Sequence, residues 1–309
     1  MVQFGIRVPE FTLDGSPSAS LIAQGGRLLD AGRGRFTSAW VSDHFVPWSN
    51  SYPPAAENLE GLTTLIYLAG QHPEYTFGNI VLAQSYRPPA LLAKMATTLQ
   101  TISGGRFVLA IGAGWKKDEY LAYGYEFPSA AVRIQQLAET AQIIRLMFTE
   151  PVATFHGRHY HIENAICEPK GNPPPPLMIG GSGRKLTLRV VARYADWWNG
   201  GGSAHDYAEV LEVLRGHCRD VGRDYDSIVK TWMSDCVAIA PTHAAAQTLA
   251  ESHPFYDANS ALVGTPAEIT AQLRRYTDLG VEHFILRFAD FPGTEGVELF
   301  GREVIPQFA

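Results

Sequence analysis

The chain has 309 residues, 46% of them hydrophobic and 18% charged, with a formal net charge of −6 and a pI near 5.9. That is an ordinary globular balance with enough apolar residues for a sizeable core, and its acidic sign argues against a nucleic-acid partner, which would call for a basic surface. Cys167, Cys218 and Cys236 are far apart and form no C-x-x-C, a pattern expected of a reducing, cytoplasmic setting. The opening MVQFGIRVPEF has no basic segment followed by an apolar one, so no signal peptide is expected. No apolar run approaches the roughly 18 residues that span a bilayer, so no membrane partner is expected.

In chain order, "FGIRV" (4–8) reads as a strand, "SASLIAQGGRLLDAG" (18–32) as a helix weakened by two glycines, and "TSAWVSD" (37–43) as a second strand. Residues 57–70 read as a helix and "YTFGNIVLA" (75–83) as a third strand. "PPALLAKMATTLQTISGG" (88–105) opens with prolines and closes with glycines, as helices do. "RFVLAIGAG" (106–114) is a fourth strand, and Ile134, Leu137, Ala141, Ile144 and Phe148 mark one face of a long helix. "PLMIGG" (176–181) is a fifth strand, followed by a helix over 184–194. "ADWWN" (195–199) is a sixth, followed by a helix near 205–221. A seventh lies within 227–240. Thr265-Pro266-Ala267-Glu268 is a capping box opening what reads as the last helix, with Gly280 as its stop. "VEHFILRF" (281–288) is the eighth strand.

Eight strands separated by helices predict a parallel sheet closed into a (β/α)₈ TIM barrel, one domain over 1–309. Such a barrel takes about 250 residues, leaving insertions, the clearest at 150–176. A doubly wound open sheet is the alternative, weakened because no G-x-G-x-x-G follows the first strand. The working face of a barrel is the C-terminal edge of its strands. There the second strand ends in Asp43-His44, the fourth in Gly112-Ala113-Gly114-Trp115, and the fifth in Gly180-Gly181-Ser182-Gly183. Glycines at strand ends allow close backbone approach to a ligand. Glycines followed by a helix N-terminus, with Arg184 and Lys185 beside them, predict a phosphate site, against the plainer reading of a turn. His156, His159 and His161 fall within six residues, but their spacing matches no familiar ligand set, and a surface hairpin with no metal is the expectation. There is no H-E-x-x-H, G-x-S-x-G or Walker loop.

Taken together, "WVSDHFVPW" (40–48), "YRPPALLAKMATTLQTISGGRFVLAIGAGW" (86–115), "HYHIENA" (159–165), "PPPPLMIGGSGRKLTLRVVARYADWWN" (173–199) and "GTPAEITAQLRRYTDLGVEHFILRF" (264–288) resemble the bacterial luciferase-like monooxygenase superfamily, in particular its branch of oxidoreductases that use the deazaflavin coenzyme F420. The resemblance implies a TIM barrel, a homodimer, and a cofactor ring lying against Val81, Leu82 and Ala83, on a strand that in this family often carries a cis peptide. It implies contacts to the cofactor from Asp43 and from Gly112 to Trp115, and a phosphate held by Gly180, Gly181, Ser182 and Gly183. His44, helped by Asp43, would handle the proton that accompanies hydride transfer, which suits a side chain titrating near neutrality. Trp48 would stand beside the substrate. The sugar-phosphate dehydrogenases of the superfamily carry an acidic glutamate where this chain has Trp115; Glu119, four residues on, is a weaker candidate for a cofactor, substrate or structural contact. The expected function is hydride transfer between F420 and a small organic substrate. An FMN-dependent monooxygenase using reduced flavin and oxygen is the alternative, and a non-catalytic relative the third reading. Substrate choice is expected to lie in loops 46–57, 150–175 and 251–263, with Tyr52, Pro53 and Pro54 as an apolar wall.

Overall fold

The computed structural model describes residues 1–12, 17–48 and 57–309. Eight parallel strands follow the predicted order: β1 (Gln3–Arg7), β2 (Ser38–Val41), β3 (Thr76–Asn79), β4 (Phe107–Gly112), β5 (Leu177–Gly180), β6 (Trp197–Gly200), β7 (Val229–Ile239) and β8 (His283–Phe288). Successive strands pair in that order, β8 pairs β1, and the ring of pairings is complete, so the fold is a (β/α)₈ TIM barrel. By contact density the chain divides into two compact units. One comprises Met1–Thr76, Asn199–Glu209 and Val229–Ala309, and the other Phe77–Trp198 and Val210–Ile228. Of the four chain breaks between them, two fall within strands β3 and β6, one within helix Ala204–Val221 and one just before β7.

In the first unit, strand alternation sorts the side chains. Phe4 and Phe284 face the helices, stacked with ring centroids 5.4 Å apart, and Phe300 of helix Glu295–Glu303 meets Phe4 edge-on at 5.5 Å. On the opposite face Trp40 Nε1 donates to Ser38 Oγ at 2.7 Å, and His283 Nε2 lies 2.7 Å from the same oxygen. A Cβ on Gly5 would stand 2.3 Å from Ser38 Oγ, so β1 needs glycine where this polar group fills the interior. Burial pushes the His283 imidazole down to about 4 and keeps it neutral.

In the second unit, helix Pro89–Ile102 starts with proline in its first turn, as expected. Helix Ala130–Thr149 is capped by Ser129, whose hydroxyl accepts from Val132 N. The insertion is a hairpin, Ala153–His156 paired antiparallel to His161–Ala165. Its tip is tied to the long helix: the Glu139 carboxylate accepts from the backbone N–H groups of Arg158, His159 and Tyr160 at 2.8 to 2.9 Å.

Several boundaries differ from expectation. The helix expected over 57–70 spans Gly61–Gln71, because Glu60 takes the N-cap and accepts from Leu62 N and Thr63 N. The 75–83 strand breaks into β3 and a short Leu82–Ala83 pair on β4, with a cis Ile80–Val81 bond between them. The helix expected over 184–194 starts at Thr187. The capping box at Thr265 is present, but Pro266–Thr277 is not the last helix, since Glu295–Glu303 follows. Helices Lys117–Ala122 and His243–Ser252, and the strand Leu262–Gly264 on β7, were not foreseen. No helix among the described residues is long and apolar enough to cross a membrane.

Candidate active site

In the second unit the strand ends are nearly bare backbone, and Val81 explains part of this. A Cβ on Gly112 would lie 2.7 Å from Val81 Cγ2, and one on Gly180 would lie 2.9 Å from Val81 Cγ1. These two glycines therefore leave room for the Val81 side chain. Gly114 has φ +73°, and a Cβ there would strike the Tyr120 hydroxyl at 1.7 Å. Trp115, next along, is 60% exposed. Ala113 is half-buried, as are Val81 and Ala83, while Leu82 is buried.

Gly181, Ser182 and Gly183 are exposed, and Gly181 has φ +122°. Gly181 O accepts from Trp198 Nε1 at 2.9 Å, which fixes the loop to β6. The helix beginning at Thr187 has no side-chain N-cap, and Leu188 N in its first turn donates to Gly183 O at 3.1 Å. A cofactor bearing a phosphate fits this loop: bare, exposed backbone precedes an uncapped helix start.

Glu119 and the tyrosines form a buried cluster behind Gly114. Tyr86 Oη donates to Glu119 Oε2 at 3.0 Å, Ser85 Oγ lies 2.7 Å from Tyr120 Oη, and the Tyr86 ring packs tilted against Tyr120 and Tyr125 at centroid distances of 4.7 and 4.8 Å. Glu119 is 2% exposed. That placement favours its structural role over a substrate contact. His156 lies 3.2 Å from Glu163 and edge-on to the His161 ring at 5.8 Å, while His159 faces Gln135 at 3.2 Å.

In the first unit, Asp43 is buried and His44 half-buried just past β2. His44 O accepts from Asn58 Nδ2 at 2.7 Å, which holds the loop. The His44 ring lies 5.9 Å from that of Trp48, and Trp48 packs tilted against Phe255 with ring centroids 4.1 Å apart. An aromatic wall thus stands beside the histidine. Tyr52, Pro53 and Pro54 lie outside the described residues.

Behind this wall is a charged cluster that sequence reasoning missed. Arg7, the last residue of β1, donates from Nη1 to Asp235 and from Nη2 to Ser42 Oγ, the latter at 2.7 Å, anchoring the residue before Asp43. Arg287 of β8 lies 3.7 Å from Asp235 and 3.9 Å from Glu10. Both arginines and Glu10 are buried, and Asp235, at a bulge in β7, is 22% exposed. Burial, reinforced by Arg287, pushes His253 down to about 4 against the pull of Asp235. The cluster had a signal: "FGIRV" and "FILRF" each place an arginine in an apolar strand, which is costly unless a carboxylate waits inside.

The sequence model of the luciferase-like monooxygenase family matches residues 26–260. The chain belongs to that family. Among its curated relatives, an F420-dependent glucose-6-phosphate dehydrogenase of Microbacterium testaceum (strain StLB037) is 27% identical over 304 residues, covering 88% of this chain and 89% of the relative. A pyrimidine monooxygenase, RutA, of Stutzerimonas stutzeri (strain A1501) is 29% identical over 258 residues, covering 71% and 70%. Among solved structures, an F420-dependent secondary alcohol dehydrogenase in complex with an F420-acetone adduct superposes with a TM-score of 0.82 at 19% identity over 98% of both chains. That last similarity establishes the shared fold.

Proposed function

We propose that this luciferase-like protein is an F420-dependent oxidoreductase that moves a hydride between the deazaflavin and a small organic substrate. The observation that carries the oxidoreductase reading is the half-buried His44 at the end of β2, set beside an aromatic wall and braced through Ser42 by Arg7; a histidine there serves either cofactor. F420-dependent relatives aligned over nearly the whole chain support the choice of cofactor. The chain works as one catalytic domain, as a homodimer, in the cytoplasm; three sparse, buried cysteines suit that compartment.

Bound F420 would supply hydride-transfer chemistry. Gly180, Gly181, Ser182 and Gly183 would hold its phosphate through backbone N–H groups, and Val81, Leu82, Ala83 and the stretch Gly112 to Trp115 would form its bed, with Asp43 as a further contact. His44 holds the proton that must arrive or leave with the hydride, because an imidazole exchanges protons near neutral pH. Asp43 orients it. Arg7 keeps the Ser42–His44 turn in place, and Trp48 with Phe255 keeps water from one side of the substrate. The aromatic wall suits a flat or apolar substrate body.

Monooxygenase relatives, one of them an FMNH2-dependent dimethylsulfone monooxygenase, favour a second reading, a monooxygenase using reduced flavin. Fluorescence titration separates the two. The proposal expects micromolar or tighter F420 binding and weaker FMN binding. FMN binding at least tenfold more tightly, about 1.4 kcal/mol in its favour, would transfer the reading to the monooxygenase.

A further inference from the structure

Within the first unit, a second polar cluster lies at the opposite edge of the strands from His44. Asp30 closes the last turn of helix Ser18–Gly32, His72 follows helix Gly61–Gln71, and Glu74 leads into β3. One donor atom from each lies within 4.8 Å of the other two. His72 is 6% exposed, and its Nδ1 makes no hydrogen bond. That nitrogen points between the two carboxylates, 3.8 Å from Asp30 Oδ1 and 3.8 Å from Glu74 Oε1. The other ring nitrogen faces the first helix, 3.7 Å from where a Gly26 Cβ would stand. A buried ring nitrogen left without a hydrogen bond is costly, and here it is aimed at two anions.

We propose that Asp30, His72 and Glu74 form a divalent-cation site of the zinc class. One imidazole and two carboxylates are a donor set that suits zinc and neighbouring transition ions better than magnesium or calcium, which take oxygen ligands. The fourth position would be water. Bonds of about 2.0–2.1 Å in a tetrahedral site put donors roughly 3.3 Å apart, so the three groups must close by about an ångström. The backbone is already fixed near the site: Tyr75, wholly buried, donates to Leu29 O, and His72 N donates to Leu68 O at 2.9 Å. The closure falls on Asp30 and Glu74, whose side chains are 57% and 27% exposed.

Arg33 occupies the place of the cation. Its Nη2 lies 2.5 Å from Asp30 Oδ1 and its Nε 2.9 Å from Glu74 Oε1. Its side chain is 57% exposed, and exposed ion pairs of this kind are weak, so a divalent ion that also engages His72 displaces it. At this edge of a barrel bound metal serves stability rather than chemistry. It would clamp two helix ends to the start of β3.

The test uses the intact chain after EDTA treatment and dialysis. Zinc chloride is titrated by calorimetry, and the melting temperature is followed with zinc and with magnesium. One zinc per chain should bind with micromolar or tighter affinity, and at a hundredfold excess over Kd the melting point should rise by about 4 °C, with no rise in magnesium. Asp30→Asn and His72→Gln should each weaken zinc binding at least tenfold. Arg33→Met should strengthen it severalfold, which an adventitious surface site would not do. The absence of saturable zinc binding overturns the proposal. So does binding that survives both Asp30→Asn and His72→Gln, or that is lost in His156→Gln instead.

Discussion

Gly112→Ala probes how the bed of the candidate cofactor is built. The new methyl would lie 2.7 Å from Val81 Cγ2, whereas carbon atoms prefer roughly 3.5–4.0 Å. One side must therefore move by about an ångström. Valine has little freedom to turn away, because branching at Cβ restricts χ1. Overpacking of this kind costs about 1–3 kcal/mol. Val81→Ala removes the opposing methyls. Val81 is half-buried, so that change alone should cost only about 1 kcal/mol. The double variant should then be about 1–2 kcal/mol more stable than the sum of the two single changes, the coupling expected of residues in contact. The assay is urea unfolding of the four proteins. With a slope of about 3 kcal/mol per molar, a 1.5 kcal/mol cost moves the midpoint by roughly 0.5 M. Strict additivity, or a Gly112→Ala protein as stable as the parent, would refute the claim that this glycine exists to seat Val81.

Other expected outcomes follow from the same geometry. His44→Ala should leave F420 affinity within about tenfold and lower single-turnover hydride transfer by roughly 10²–10⁴; an unchanged rate across pH 5–9 would make His44 a structural residue. Ser182→Glu should weaken F420 binding at least tenfold by like-charge repulsion while leaving the melting point within 2 °C or so; it tests charge more cleanly than Gly181→Asp, because φ +122° at Gly181 strains any side chain. His253 and His283, both pushed down to about 4 by burial from 6.5, make the native state acid-sensitive. The unfolded chain takes up protons first, so stability present above pH 6.5 is lost as pH falls toward 4, by up to about 3 kcal/mol for each histidine. His283→Asn should flatten that dependence in urea titrations at pH 4.5 and 7; an unaltered slope would contradict it. Sedimentation at micromolar concentration should give a dimer, and a monomer would remove the homodimer.

The barrel was legible because its strands are short apolar runs set apart by helical periodicity and by punctuation at Pro88, Gly104 and Thr265. The boundary errors have local causes. Glu60 looked like helix interior and is a cap through its side chain, and no periodicity marks the break at Ile80–Val81. The glycine-rich strand ends were visible as motifs, but not their internal purpose: Gly112 and Gly180 yield to Val81, and Gly114 to Tyr120. The pairing of Arg7 with Asp235 joins residues 228 apart in sequence, a separation that pattern reading does not bridge. His253 and Phe255 sit in a segment with no periodic signal, so their position against Arg287 emerges only in three dimensions.

The most direct test is an anaerobic single turnover. Purified protein is mixed under argon with reduced F420 and, in parallel, with oxidised F420, each against a panel of ketones, imines, alcohols and enones, while the deazaflavin absorbance is followed; matched samples with reduced FMN are opened to oxygen and monitored with an oxygen electrode. The account predicts conversion of F420 with at least one substrate in the absence of oxygen, slowed by His44→Ala. Substrate turnover that requires reduced FMN and consumes oxygen, with no F420 reaction in either direction, would contradict it.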